Sequence, residues 1–440
     1  MAFAVRLANM EVEIDMCPPM LEEEKYRKSY LELTNTLHPP VKQVEFGSTD
    51  RKVIVGGEYV MHRHELTYKN PTVFALDIDD EMDDKEVTRR LKFVEDFSYI
   101  YIGTEMKLDA LAIRSVSNDR QKFKNVVKFV REKTNLPLIL CSLNSKIIET
   151  GLSVLERDKP LIYAVTKENW KEMSELSRKR GCPMAVSSPN DMNTLVSLTQ
   201  TLQGNGVNDL VLDPGTFPGN GLSKTIDALT MLRWKACNDR DKLLGYPLMG
   251  TPITTWMGDE DDQTKCWRES ITTAALIDRY TDLLILHGTE GWGLLPNIIL
   301  RFNIYTDPKK PVSVKPGLKA IGNPDEKSPV MVTSNFALTY YIVSGDIESG
   351  KINCHLIVAD SEGMALEAAV AGREFSAKEV ADAIKESGIE GMIKHRNIII
   401  PGLAARLSGE IEEATGWKVI VGPRDSSGIP KFIQEKWKNK

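Results

Sequence analysis

Residues 136–188 read LPLILCSLNSKIIETGLSVLERDKPLIYAVTKENWKEMSELSRKRGCPMAVSS. Three apolar runs, LPLILCS (136–142), PLIYAV (160–165) and CPMAVSS (182–188), are separated by stretches of helical spacing. The clearest of those stretches is KENWKEMSELSRKRG (167–181), whose charges fall on one side. A run that is apolar on both faces suits a strand covered by helices above and below, as in a parallel sheet. The rhythm extends outward in both directions. TVFALDI (72–78) and LDALAIR (108–114) precede it, with the amphipathic DRQKFKNVVKFVREKT (119–134) between strands; DLVLDPG (209–215), YPLMGT (246–251) and DLLILH (282–287) follow. Eight strand–helix units in about 240 residues predict a closed (β/α)8 TIM barrel. Periodicity alone is also compatible with an open doubly wound sheet.

On the amino side, VEFG (44–47) and RKVIVGGE (51–58) read as a β-hairpin. Before them, a small unit ends in Leu37-His38-Pro39-Pro40. On the carboxyl side, DPKKPVSVKPGLKAIGNPDEKSP (307–329) is rich in Pro, Lys and Gly and lacks periodicity, as a linker would. A second α/β pattern then begins with PVMVTS (329–334), NCHLIVAD (353–360), NIIIPG (397–402) and KVIVGP (418–423). The expected organisation is an N-terminal unit over 1–40, a barrel over 41–310, a linker over 311–328 and a small Rossmann-like parallel α/β domain over 329–440.

Composition removes several functional classes. The 440 residues are 42% hydrophobic and 27% charged, with a net charge of −6. A chain so charged has no basic footprint for nucleic acid. No apolar run is long enough to span a bilayer, and Arg6, Glu11, Glu13 and Asp15 interrupt any signal-peptide core. The six cysteines stand singly, without CxxC pairs, which points to the reducing cytoplasm and away from a disulfide framework or zinc site.

Ligands of open α/β sheets bind outside the carboxyl ends of the strands. In the last domain those positions carry Thr333-Ser334-Asn335-Phe336-Ala337-Leu338-Thr339, Asp360-Ser361-Glu362-Gly363-Met364-Ala365-Leu366, Pro401-Gly402-Leu403-Ala404-Ala405 and Gly422-Pro423-Arg424-Asp425-Ser426-Ser427-Gly428. Small residues let backbone approach a large flat ligand, and hydroxyls and N–H groups bond its edges. The plainer reading is that Gly and Ser make serviceable strand-to-helix turns, with Arg424 and Asp425 a local ion pair.

TSNFALTYY (333–341), VSGDIESGK (343–351), IIPGLAARLSGEIEEATGW (399–417) and VGPRDSSGIP (421–430) closely resemble the corrinoid-binding domain of the corrinoid/iron-sulfur protein large-subunit family, whose archaeal counterpart is the gamma subunit of the acetyl-CoA decarbonylase/synthase complex. The resemblance spans nearly the whole chain, including RFNIYTDP (301–308). It implies a methyl carrier whose corrinoid cobalt takes a methyl group from a methyltetrahydropterin and passes it to the nickel cluster of acetyl-CoA synthase. Implied partners are the corrinoid protein small subunit, a methyltetrahydropterin methyltransferase and CO dehydrogenase/acetyl-CoA synthase. Implied corrinoid contacts are Thr333, Thr339, Ser361, the loop Gly363, Met364, Ala365 and Leu366, and Ser426, together with Gly402 and Ala404. Ser361 stands where the family pattern Asp-Thr-Glu-Gly has threonine. The Asp-x-His-x-x-Gly motif through which many corrinoid domains bind cobalt is absent, and His355 and His395 read as structural. The implied cofactor is therefore a base-off, cobalamin-type corrinoid without a protein histidine on cobalt.

The family opens with Cys-x2-Cys-x4-Cys-x16-Cys, which holds a [4Fe-4S] cluster. MAFAVRLAN resembles the segment that follows the third cysteine, and Cys17 falls at the fourth. Cluster ligation is expected only if three further cysteines precede Met1; otherwise Cys17 is an orphan thiol. In the barrel, Asp213-Pro214-Gly215 resembles pterin-binding barrels, and Asp77, Asp79, Asn144 and Asn190 also follow strand ends. The expected role of the barrel is scaffold and docking element. The alternative is a pterin-dependent barrel enzyme without bound corrinoid. His62 and His64 form a possible metal pair, but the surface of a hairpin is the expected setting.

Overall fold

The computed structural model describes residues 2–8, 12–309 and 311–437; the ends of the MAFAVRLAN segment, Met1 and Asn9, lie outside them. The chain divides into two compact units, one holding the residues up to Phe97 with Lys107–Tyr305, the other Ser98–Met106 with the residues from Thr306 on.

The first unit opens with short helices, the longest of them Arg27–Leu37. The hairpin β1 (Val44–Gly47) and β2 (Lys52–Val55) follows, then the first barrel strand, β3 (Val73–Asp79). A second hairpin, β4 (Tyr99–Tyr101) and β5 (Thr104–Met106), belongs to the other unit. The barrel continues with β6 (Ala110–Arg114), β7 (Leu138–Cys141), β8 (Leu161–Val165), β9 (Met184–Ser187), β10 (Leu210–Asp213), β11 (Met249–Gly250) and β12 (Leu283–Leu286). Their parallel order is β10-β9-β8-β7-β6-β3-β12-β11, and Leu212 of β10 bridges in parallel to Leu248 beside β11, joining the two ends. The open-sheet alternative is thereby removed. All eight runs read from the sequence are barrel strands.

The alternation of side chains explains why the closed form packs. Val73, Ala75, Ala110, Ala112, Ile139 and Ala185 point inward and share one core with Val44, Phe46 and Val55 of the first hairpin. Small alanines keep the interior narrow enough to fill. The hairpin closes the amino end: Gly47 exchanges hydrogen bonds with Lys159, and Ser48 Oγ donates to the Asn135 carbonyl. At the opposite end, Asp83, Asp119, Asn144, Asp191 and Asp261 each cap the following helix through a side-chain oxygen. Each such cap contributes about 1 kcal/mol.

The second unit is built on β13 (Gly317–Ile321), β14 (Val330–Ser334), β15 (Cys354–Ala359), β16 (Asn397–Ile400) and β17 (Lys418–Val421), in the order β13-β15-β14-β16-β17. The four strands read from the sequence are parallel. β13 is a correction: it lies inside the stretch expected to be a linker and pairs antiparallel with β15, so the sheet is mixed. An edge strand is covered on one side only, and in GLKAI only Ile321 is buried, so no apolar run marks it. Just before it, Val312 accepts from Ala337 N and Val314 donates to the Asn335 carbonyl. These residues therefore brace the loop after β14. One face of the sheet packs on a core holding Phe375 and Trp417; the other packs Met331, Leu356 and Ile399 under helices Ala337–Ser349 and Ile429–Lys436.

Candidate functional site

β14 lies between β15 and β16, and the chain runs from β14 to β15 on one side and then crosses to β16 on the other. Such a reversal parts the loops at the carboxyl edge and leaves a crevice. A cavity of about 420 Å³ opens there. Met331, Leu356 and Ile399 of the sheet form its floor, and Ile342, Val343, Phe432 and Ile433 of the two helices form its apolar walls. Its rim is more polar, with Thr339, Glu367, Arg424, Asp425 and Ser426.

Thr333 reaches this cavity because strand side chains alternate. Val330 and Val332 join the opposite core, so Met331 and Thr333 face the slot. Thr333 is 1% exposed, and its hydroxyl has no hydrogen-bond partner. Ser334 Oγ is also buried without a partner. An unpaired buried hydroxyl costs about 1–3 kcal/mol, which makes the Thr333 hydroxyl the strongest local sign of a missing ligand.

Of the ten expected corrinoid contacts, Thr333, Thr339, Ala365, Leu366 and Ser426 line this cavity. The other five support the loops around it. Ser361 is fully buried and donates through Oγ to Asn335 Oδ1 at 2.7 Å. That oxygen also accepts from the N–H groups of Ser361 and Gly363, while Asn335 Nδ2 donates to Asp360. Gly363 has φ +71°, and a Cβ there would come within 3.1 Å of the Pro311 carbonyl oxygen. Met364 and Ala404 pack into the Phe375–Trp417 core. Gly402 approaches the neighbouring loop so closely that a Cβ would lie 2.7 Å from Arg424 N and 2.8 Å from the Pro423 carbonyl carbon. Its N–H donates to Pro423 O at 2.9 Å. Hydrogen bonding from the Ser427 side chain, and then from its N–H, holds the Asp425 carboxyl below the usual range.

The sequence reading passed over the walls: Ile342, Val343, Phe432 and Ile433 were legible only as helix residues. The available signal is the helix Ala337–Ser349, which is apolar nearly all round yet leaves Leu338, Tyr341 and Ile342 exposed.

Both histidines of this unit sit at the amino ends of their strands. His355, the second residue of β15, meets the Asp325 carbonyl at 3.2 Å through Nε2; His395 precedes β16, meets the Ser328 carbonyl and stacks edge-on to Trp437. In the first unit, Cys17 is the only cysteine of the six that is not buried, and it sits between the short helices Ile14–Met16 and Pro18–Glu22. Burial pushes the Cys141 and Cys354 thiols up to about 12 and those of Cys182, Cys237 and Cys266 up to about 11, against the thiolate form a metal requires. Among the described residues, no group of three or more His, Cys, Asp or Glu is arranged to hold a metal ion. His62 and His64 stack on each other at the surface, 5.7 Å apart.

At the barrel's carboxyl end, Asp213 is buried and its carboxyl pKa is raised by that burial, although Tyr163 Oη, Ser187 Oγ and Gly215 N all donate to it. Burial also raises the Asp77 carboxyl, but His287, Arg90 and Arg114 outweigh it and hold the group below the usual range. Asp79 pairs with Arg114, Asn144 caps a helix, and Asn190 takes a left-handed turn at φ +60°. Each expected barrel residue thus has a protein partner or a backbone role. The His287–Asp77–Arg90 network was not anticipated, because its members are more than 190 positions apart in sequence for His287 and Arg90.

A family model described as the CO dehydrogenase/acetyl-CoA synthase delta subunit matches residues 43–433. The acetyl-CoA decarbonylase/synthase complex subunit gamma of Methanothermobacter thermautotrophicus is 42% identical over 435 residues, covering 99% of this chain and 94% of its own length. Subunit gamma 2 of Methanosarcina thermophila is 42% identical over 441 residues, with the same coverage. A solved dihydropteroate synthase from Xanthomonas albilineans, in complex with 7,8-dihydropteroate, is similar at a TM-score of 0.41 and 16% identity, covering 55% of this chain and 97% of that one. The whole-length identity decides the matter: the chain belongs to the CO dehydrogenase/acetyl-CoA synthase subunit family, together with the gamma subunits of the acetyl-CoA decarbonylase/synthase complex.

Proposed function

We propose that the chain is a corrinoid-binding methyl carrier, accepting a methyl group from a methyltetrahydropterin and delivering it to acetyl-CoA synthase. The observation that carries this reading is the apolar slot at the carboxyl edge of β14, β16 and β17, with the unpaired Thr333 hydroxyl in it. At about 420 Å³ the slot is large enough for a bicyclic base and its sugar and too small for a whole macrocycle. The macrocycle would therefore rest on the rim, over Thr339, Ala365 and Ser426, with its nucleotide tail in the slot. A bound corrinoid supplies a cobalt centre that can take up and release a methyl group. The chain binds and orients it through close backbone at Gly402 and through the Asn335-braced loop 360–364. His355 and His395 lie at the amino end of the sheet, which supports a cobalt without a protein imidazole.

The barrel serves as scaffold in this reading. Asp213, the residue a pterin would need, is already engaged by Tyr163 and Ser187. The partner is a smaller barrel subunit. Support for docking comes from Met231 and Trp234 on helix Leu222–Cys237 and Trp267 and Ile271 on the neighbouring helix Asp262–Asp278, all exposed. Exposed Trp and Met at this density are characteristic of interface cores. A [4Fe-4S] cluster on Cys17 would need thiolates other than the five buried ones.

The test is direct. Purified chain, alone and with the small subunit, is incubated with base-off corrinoid and freed of excess. A corrin absorption band with near-stoichiometric cobalt is expected, followed by uptake of labelled methyl from methyltetrahydropterin. Colourless protein in both states would remove the carrier role.

A further inference from the structure

The loop between helix Leu222–Cys237 and β11 reads Asn238-Asp239-Arg240-Asp241-Lys242-Leu243-Leu244-Gly245-Tyr246. Acids alternate with bases there, and mutual neutralisation would be the simplest arrangement. The chain does the opposite. Asp239 is taken by Lys235 Nζ at 2.6 Å, one turn back on the helix, and Asp241 Oδ1 accepts from Leu243 N. Arg240 donates from Nη1 to the Thr36 carbonyl at 3.3 Å. Among the described residues, neither Arg240 nor Lys242 forms an ion pair.

Both line a cavity of about 310 Å³ at the amino end of the barrel, together with His38, Lys42 and Tyr246. No carboxylate lines it among the described residues. Lys42 is already neutralised: its Nζ donates to the Asn208 carbonyl at 2.7 Å and lies 3.1 Å from Asp209. Tyr246 is 4% exposed, and its oxygen accepts from Gln203 Nε2 at 2.8 Å, which leaves its own proton unspent. The floor is close-packed, since Gly245 has no room for a Cβ against the Pro40 carbonyl oxygen and its carbonyl accepts from Lys42 N at 2.9 Å. In a chain of net charge −6, two unpaired cations over such a floor make a local attractor for anions.

We propose that this cavity binds the phosphate group of a small phosphate ester. The guanidinium offers a planar fork, the ammonium a point charge and the phenol a single O–H. A carboxylate has two oxygens, which the fork alone engages; a phosphate has further oxygens for the ammonium and the phenol. The volume lies at the lower end of small-molecule sites, about 300–1,000 Å³, which suits a short ester and not a dinucleotide. The site is separate from the corrinoid reading, whose slot lies in the other unit.

The full chain is titrated by calorimetry at low ionic strength with glycerol 3-phosphate, inorganic phosphate and acetate. Both phosphates are expected to bind at one per chain, with acetate weaker by about tenfold or more. Arg240→Gln and Lys242→Gln are each expected to weaken glycerol 3-phosphate about tenfold, and Lys242→Arg to hold it within about threefold. Arg240 and Lys242 are both exposed, so thermal unfolding without ligand should match wild type in each variant. Unchanged affinity in the double variant R240Q/K242Q would overturn the site. Acetate binding as tightly as phosphate would overturn the assignment to phosphate, and inorganic phosphate binding without glycerol 3-phosphate would overturn the ester. No binding of any of the three to the wild-type chain would overturn the whole inference.

Discussion

Two residues show how far a single side chain can be judged from sequence. Gly402 stood in a small-residue loop and could have been a ligand contact or merely a turn; the structure adds that its missing Cβ lets two loops touch through backbone. Gly402→Ala must push backbone apart, at a cost of about 1–3 kcal/mol, whereas Gly409→Ala meets nothing within 4 Å. In urea denaturation the midpoint should fall for the first and rise slightly for the second, because Gly409 lies in helix Ser408–Thr415, where alanine is favoured over glycine by about 0.5–1 kcal/mol. Glu58 was unreadable as anything but a hairpin residue. It is buried, and burial raises its carboxyl to about 7 against the attraction of Arg233. The folded chain thus holds this proton more tightly than the unfolded chain, whose carboxyl titrates near 4.5. Its contribution to stability is full below that value, declines as pH rises towards about 7, and is level above. The decline amounts to roughly 3 kcal/mol. Glu58→Gln should flatten the stability profile between about pH 4.5 and 7; a slope unchanged from wild type would show that another group is responsible.

At the scale of elements, the strands were legible wherever both faces are covered, because a continuous apolar run has few other uses. β13 escaped for the opposite reason: only its last residue, Ile321, is buried, and its pairing partner, β15, is more than thirty residues away. The loop after β15 was legible as polar and small, but not its dependence on Asn335. That side chain accepts three hydrogen bonds from Ser361 and Gly363. Asn335→Ala should leave those donors buried and unpaired, costing about 2–4 kcal/mol, and hydrogen exchange should speed up at residues 360–364 before it does in β14. Uniform exchange across both would mean that the loop is held by other contacts. Helix Ala337–Ser349 was legible as a helix, but its service as the wall of a slot was not, because helical spacing says nothing about what a second helix, Ile429–Lys436, leaves open beside it.

For the whole molecule, eight repeated strand–helix units were enough to predict the barrel, since repetition at that count has one common closed solution. What repetition does not encode is which outer helices stay bare. Trp234 and Trp267 are 50% and 57% exposed on neighbouring helices. Replacing both with alanine should leave thermal unfolding of the isolated chain unchanged and weaken its association with the small subunit proposed as its partner by about a hundredfold or more, read by sedimentation. An undiminished association would place the partner elsewhere.

The hairpin β4–β5 belongs to a unit whose remaining residues begin at Thr306. During synthesis it emerges about 200 residues ahead of them, a delay of roughly 10–40 s at ordinary ribosome speeds. For that time the hairpin lacks the rest of its unit, and the nascent barrel must grow past it without capturing it. A chain cut before Thr306 and expressed as a free second unit would lack these nine residues altogether, so transplanting that unit into another protein calls for carrying the hairpin along.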